Sequence, residues 1–504
     1  RVVYEPLATF DKDGTLIPFL AEEIPSLENG GVAEDGKSVR WRLRQGIKWS
    51  DGEPFTADDV LFTYEFITNP ETEATTTATY NAVESVEIID DSTVKINFKD
   101  VNPAWSLPFV GIKGMILPRH VFEAYNGPNA REAPANIIPV GTGPYRVLPP
   151  GIKPQEVLLL GTQIVETNKI LYEPNPFFRE KDKPFFSQVE LRGGGTVNEA
   201  ARQVLQTQDV ADATKFDFAW NLQLEAETLE QLEAGEQAHV IPNFGPYVEH
   251  LLINLTDPNQ RTAEGERSSL EFPHPFFSDE KVRQAFAYAI NREAIAELYP
   301  GSRVATNILV APANYRSPNT SYEFNLTKAA ALLNEAGWID SNDNGVRDKE
   351  IQPTGTENPR RVEMHVVFET TVNPVRQKIQ DIIKQDFESI GIEVELKITD
   401  ASVIFGSDSS NPNNYHQFPA DIQMYADGNV SPDPGAYMRN WTCDQIPQME
   451  NNWSGENIER WCDPRYDALY AQSTKEFDPE KRQQLFIQMN DMLIENIILI
   501  PLVN

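Results

Sequence analysis

Between residues 373 and 398 the hydrophobic period changes partway, and this restricts the fold more than any bulk property. Asn373-Pro374 opens a helix, with proline at its first position. Val375, Ile379, Ile382, Ile383 and Ile390 recur at helical spacing, and Gly391 stops the run. Ile392, Val394, Leu396 and Ile398 then alternate as a strand with one buried face. A helix that feeds a strand is the building unit of an α/β domain.

The same alternation runs through the chain. Val39, Trp41 and Leu43 alternate with Arg40, Arg42 and Arg44, a half-exposed strand. After the Asp51-Gly52 turn, Thr56 is placed to cap a helix whose first turn holds Asp58 and Asp59. Val86 and Ile88, a turn at Asp90-Asp91, and Val94, Ile96 and Phe98 predict a hairpin with one apolar face. Ser278 is read as the start of a helix carrying Val282, Phe286, Ile290 and Ile295. Asp478-Pro479 opens another, with Leu485, Met489 and Met492.

A chain of 504 residues is too long for one core, so two or three domains are expected. Aromatic and β-branched residues are spread along its length, which argues against disorder. A net charge of -33 repels phosphate backbones and anionic headgroups, so nucleic acid and anionic membrane are excluded as partners. The apolar stretch Asn496 to Val503 is too short to span a bilayer and holds Pro501. The opening Arg1-Val2-Val3-Tyr4 lacks the apolar core of a signal peptide, so an export signal is expected to be removed or left out.

Cys443 and Cys462 are the 2 cysteines. A disulfide closing so short a loop contributes roughly 3 kcal/mol and needs an oxidising compartment. Two thiols in a reducing cell is the alternative.

Five segments resemble one family, the extracellular solute-binding proteins of ABC importers of the peptide/nickel class. They are Tyr4-Glu5-Pro6-Leu7 with Leu20-Ala21-Glu22; Leu43 to Gly52 with Phe55 to Val60; Gly141-Thr142-Gly143-Pro144-Tyr145; Val282 to Arg292; and Ala330, Leu333, Ala336, Gly337 and Trp338. They occur in the family's order. Members usually carry one more strand before the position of Tyr4 and continue past Leu502. The resemblance implies an α/β, two-lobed periplasmic binding protein fold of type II, with a subdomain inserted in the first lobe. By this analogy residues 1–31 and 136–221 form lobe I, 32–135 its inserted subdomain, 222–490 lobe II, and 491–504 a return toward lobe I.

The resemblance also implies a function and a site. The chain is expected to be a monomer that captures an oligopeptide or peptide-like solute and delivers it to ABC permease subunits, without cofactor or catalysis. The expected location is extracytoplasmic, as a secreted or lipid-anchored protein. A peptide's ammonium needs a sheltered carboxylate. Ile422, Met424 and Ala426 alternate as a strand that ends at Asp427, where the family's peptide binders place the amine-pairing aspartate. Asp427 beside Gly428 is alternatively a turn former. Asp433 is a second choice, alternatively a loop residue before Pro434. Trp220 resembles a tryptophan at the family's crossing between lobes, facing ligand or packing the hinge. Tyr425 and Trp441 are further ligand candidates, with core packing as the alternative.

Rival chemistries have thinner support. Asp340, Asn342, Asn344 and Gly345 partly match a calcium loop, but its twelfth position is Ile351 instead of Glu. The histidines, His120, His239, His250, His274, His365 and His416, show no paired spacing, so no nickel site is named. A metal chelate, an oligosaccharide or an opine remains the alternative solute. Gly193-Gly194-Gly195 lacks the lysine of a phosphate loop. A hydrolase built on paired carboxylates is the remote alternative, and no nucleophile or zinc motif marks one. Asn254, Asn319, Asn325, Asn440 and Asn452 lie in Asn-x-Ser/Thr sequons.

Overall fold

The structure is a computed structural model. It describes residues 2–11, 15–72, 74, 76–149, 151, 169–192, 217–219, 230, 234, 239, 241, 245–351, 359–406 and 411–504. The chain divides into two compact units, Arg1–Thr196 and Val197–Asn504.

In the first unit, β1 (Ala8–Phe10) and β2 (Leu16–Pro18) form a hairpin. β3 (Ser38–Arg42), β4 (Val83–Asp90) and β5 (Thr93–Phe98) form an antiparallel sheet in the order β3-β5-β4. Val39 pairs with Ile96 and Trp41 with Val94, and all four are fully buried. Ile88, expected on the same face, is exposed, and β4 shifts register between Ile88 and Asp90. Helix α1 (Ala57–Thr68) starts as read: the Asp59 carboxylate accepts the Thr56 N–H at 3.0 Å. It also accepts the N–H of Arg119, the first residue of α2 (Arg119–Phe122), at 2.9 Å. A third sheet joins β6 (Tyr145–Val147), β7 (Lys169–Pro174) and β8 (Val189–Arg192).

The second unit is built on five strands in the order β13-β12-β14-β9-β15. They are β9 (Tyr247–Ile253), β12 (His365–Thr371), β13 (Glu393–Thr399), β14 (Ile422–Gly428) and β15 (Leu499–Val503); β10 (Asp348–Ile351) and β11 (Arg360–Glu363) form a separate hairpin. β12 runs parallel to β13 and β14, whereas β9 is antiparallel to β14 and β15. Among the described residues its helices include α3 (Glu280–Tyr288), α4 (Arg292–Ala296), α5 (Leu326–Glu335), α6 (Pro374–Glu388), α7 (Ala401–Ile404), α8 (Gly435–Met438), α9 (Pro464–Ser473) and α10 (Pro479–Glu495).

Helix α6 is the crossover from β12 to β13. The Asn373 side chain caps it, accepting from Val375 and Arg376 N–H, and Gly391 ends it at φ +85°. Its Ile379, Ile383 and Phe387 are fully buried against the β12 and β13 side chains Val366, Phe368 and Val394. Helix α3 is capped by Asp279, one residue later than the sequence reading placed its start. At the chain end, residues 491–504 complete α10 and lay β15 on β9, where Ile500 pairs with Leu251. Asn254 is fully buried just after β9, and its amide donates to Ser268 Oγ and to the Phe418 and Ala420 carbonyls.

Candidate functional site

Asp427 lies near the carboxyl end of β14, a strand parallel to β12. In open α/β sheets that end is where ligands bind. Strand parity puts Met424 in the core and sends Tyr425 and Asp427 to the other face. On that face Tyr425 meets Phe405 at 5.2 Å, His250 at 5.6 Å and Tyr415 at 6.3 Å between ring centroids. Phe405 is 43% exposed, and Tyr415 and Tyr425 are half-buried, so the aromatic surface is open to a guest.

Three carboxylates share this region. Burial raises the proton affinity of Asp427, and the charge of Glu456 raises it further. Among the described residues, Asp427 has no ion pair with a Lys, Arg or His. Glu456 accepts the Tyr415 hydroxyl at 3.0 Å and pairs with His416 Nε2 at 3.8 Å. The neighbouring His416 holds Glu456 below the usual carboxylate range against the effect of burial. Glu459 is 1% exposed, and burial pushes its carboxyl up to about 7. The Trp441 indole N–H donates to its Oε1 at 3.4 Å, while its Oε2 has no hydrogen-bond partner among the described residues.

The disulfide is formed: Cys443 and Cys462 are joined, and the loop they close carries Glu456 and Glu459. Arg460 fastens the same loop. Its guanidinium donates to the carbonyls of Ser268, Ile458 and His416, and burial lowers its pKa to about 9.

The other sequence candidates have different surroundings. Trp441 is 4% exposed, packed edge-on to Tyr437 in the core, and reaches the site only through Glu459. The Asp433 carboxylate is bound in two-point fashion by the Arg482 guanidinium, and it caps the Gly435 N–H. Trp220 lies outside the described residues. The oxygens of Asp340, Asn342 and Asn344 accept N–H groups of their own loop. Among the described residues no three His, Cys, Asp or Glu side chains converge to hold a metal.

The segments that carry the family resemblance mainly hold the fold. Glu5, buried in the first unit, receives the Arg179 guanidinium at 2.6 Å and the Thr142 hydroxyl at 3.1 Å. Gly143 donates to the Val3 carbonyl at 2.7 Å, and a Cβ on Gly141 would stand 2.0 Å from that oxygen. Arg283, also buried, donates to the carbonyls of Phe277 and Asn496. Beside the first two segments lies a cavity of about 910 Å³, lined by Glu5, Phe19, Arg44, Phe178, Arg179 and Lys183.

Residues 15–447 match the family model described as bacterial extracellular solute-binding proteins, family 5 Middle. The chain belongs to this family. The oligopeptide-binding protein AppA of Bacillus subtilis (strain 168) is 25% identical to this family-5 protein over 427 residues, 82% of this chain and 66% of AppA. A group of Brucella relatives is matched over 55% of their length, so the chain spans between about half and two thirds of these relatives. The glutathione-binding protein GsiB of Salmonella typhi is 23% identical over 99% of this chain and 83% of its own. The solved structure of the Bacillus subtilis AppA in complex with a nonapeptide superposes with a TM-score of 0.66 at 21% identity, covering 100% of this chain and 87% of that one. The fold of this family-5 protein is thus the two-lobed solute-binding fold. Among the described residues no helix is long and apolar enough to cross a membrane.

Glu456, Glu459 and Tyr415 went unnoticed in the sequence. The available signal was the cysteine pair, which brackets Glu456 and Glu459 in an otherwise cysteine-free chain.

Proposed function

We propose that this protein captures a peptide or peptide-like solute through its free amine at Asp427 and passes it, chemically unchanged, to the permease of an ABC importer outside the cytoplasm. The observation that carries this reading is a sheltered carboxylate, without an ion pair among the described residues, beside reachable aromatic rings. A carboxylate held this way gains a charge-assisted hydrogen bond from an ammonium, and the rings add cation–π attraction. The names of AppA and GsiB, both binders of peptides, agree with this solute class. The formed disulfide suits an oxidising compartment.

Titration calorimetry with Ala-Ala-Ala and its N-acetylated form tests the reading. The free-amine peptide binds and the acetylated one binds far more weakly; equal affinity overturns the amine assignment. Mass analysis of the recovered peptide checks that it emerges intact, and cleavage would establish an enzyme instead. Native mass spectrometry of freshly purified protein reads the solute it carries from the cell.

A further inference from the structure

A single ammonium at Asp427 leaves a second carboxylate of this region without a ligand partner. Beyond Asp427, Glu456 presents a second carboxylate that is 47% exposed and therefore open to a ligand. Tyr415 orients one of its oxygens and His416 the other, each oxygen keeping room for a further donor. Two more polar groups behind the rings are unsatisfied. Glu459 Oε2 and the Tyr437 hydroxyl are both buried without a hydrogen-bond partner among the described residues, and both feel the charge of Asp427. The one guanidinium coupled to Glu459, that of Arg460, is already committed to three carbonyls. The reachable rings of Phe405, Tyr415 and Tyr425 present faces and edges suited to a long cationic side chain.

The geometry points to Glu456 as the receptor of a second positive charge, so that the preferred solute is a peptide whose first residue is basic: lysine, ornithine or arginine. This rests on the amine reading of Asp427 and deepens it. Asp427 takes the α-ammonium, and Glu456 takes the side-chain cation lying along the rings. An exposed carboxylate paired this way discriminates modestly, by about two- to fivefold, because water competes for both partners.

The test is titration calorimetry of Lys-Ala-Ala and Ala-Ala-Ala against the parent, Glu456→Gln, Glu456→Lys and Asp427→Asn, with circular dichroism confirming the fold of each. The parent binds Lys-Ala-Ala about two- to fivefold more tightly than Ala-Ala-Ala. Glu456→Gln removes that preference by weakening Lys-Ala-Ala alone, and Glu456→Lys reverses it. High salt narrows the gap in the parent. Three outcomes overturn the inference and leave the amine reading standing: equal affinities in the parent, a preference that survives Glu456→Gln, or equal weakening of both peptides by Glu456→Gln. Unchanged binding of both peptides by Asp427→Asn overturns the amine reading itself. If the parent binds neither peptide, both fall.

Discussion

Two groups of buried carboxylates in the second unit are treated in opposite ways. Glu249 on β9 faces the Arg376 guanidinium at 3.0 Å, and Asp433 faces Arg482. Each closes its charge inside the fold. Asp427 has no such partner among the described residues, and Glu459 leaves one oxygen unbonded. Burying a charge without a partner is costly, so a protein keeps such groups where something else completes them. The closed pairs belong to the scaffold. On the proposed reading, the open set is where a solute supplies the missing charge.

The comparison is tested hardest at a closed pair. Arg376→Met leaves Glu249 buried and unpaired and should destabilise the unit by about 3–5 kcal/mol, read from urea denaturation. A loss under about 1 kcal/mol would mean that the pair adds nothing. Replacing Cys443 and Cys462 with serine should cost roughly 3 kcal/mol and also weaken peptide binding, since the loop carries Glu456 and Glu459. Unchanged affinity would separate loop from pocket. Asp427→Asn should behave oppositely to Arg376→Met: stability equal to or above the parent's, and affinity for Ala-Ala-Ala lower by about 10- to 100-fold. Lost stability with retained affinity would move Asp427 to the scaffold group.

The smallest effect is a pH slope. The Glu459 carboxyl rises on folding from 4.5 to about 7, so folding takes up a proton between those values. Stability through this group is full below about pH 4.5 and falls as pH rises toward 7, by at most about 1.4 kcal/mol per unit. Glu459→Gln should flatten that slope in melting curves.

What the sequence made legible follows from range. The α6–β13 unit was readable because periodicity, the Asn373-Pro374 start and the Gly391 stop are all local signals. The place of Asp427 near the end of a strand was readable because strand parity is local too. The partner of β15 was not, since an apolar strand does not name the sheet edge it joins, and β9 lies far back in the chain. Asp433 was ambiguous for the same reason: its partner, Arg482, is 49 positions away. Trp441 looked like a ligand platform because an aromatic ring reads alike whether it faces solute or core.

The buried amide of Asn254 has a practical consequence. Its sequon, Asn254-Leu255-Thr256, is accessible only before β9 and β14 come together. A eukaryotic secretory host that attaches sugar to nascent chains would meet it in that window. A glycan on the nitrogen that donates to Phe418 and Ala420 would hold those strands apart, so yeast or mammalian secretion should yield misfolded material that Asn254→Gln alone does not rescue, because the substitution keeps an amide but lengthens its reach.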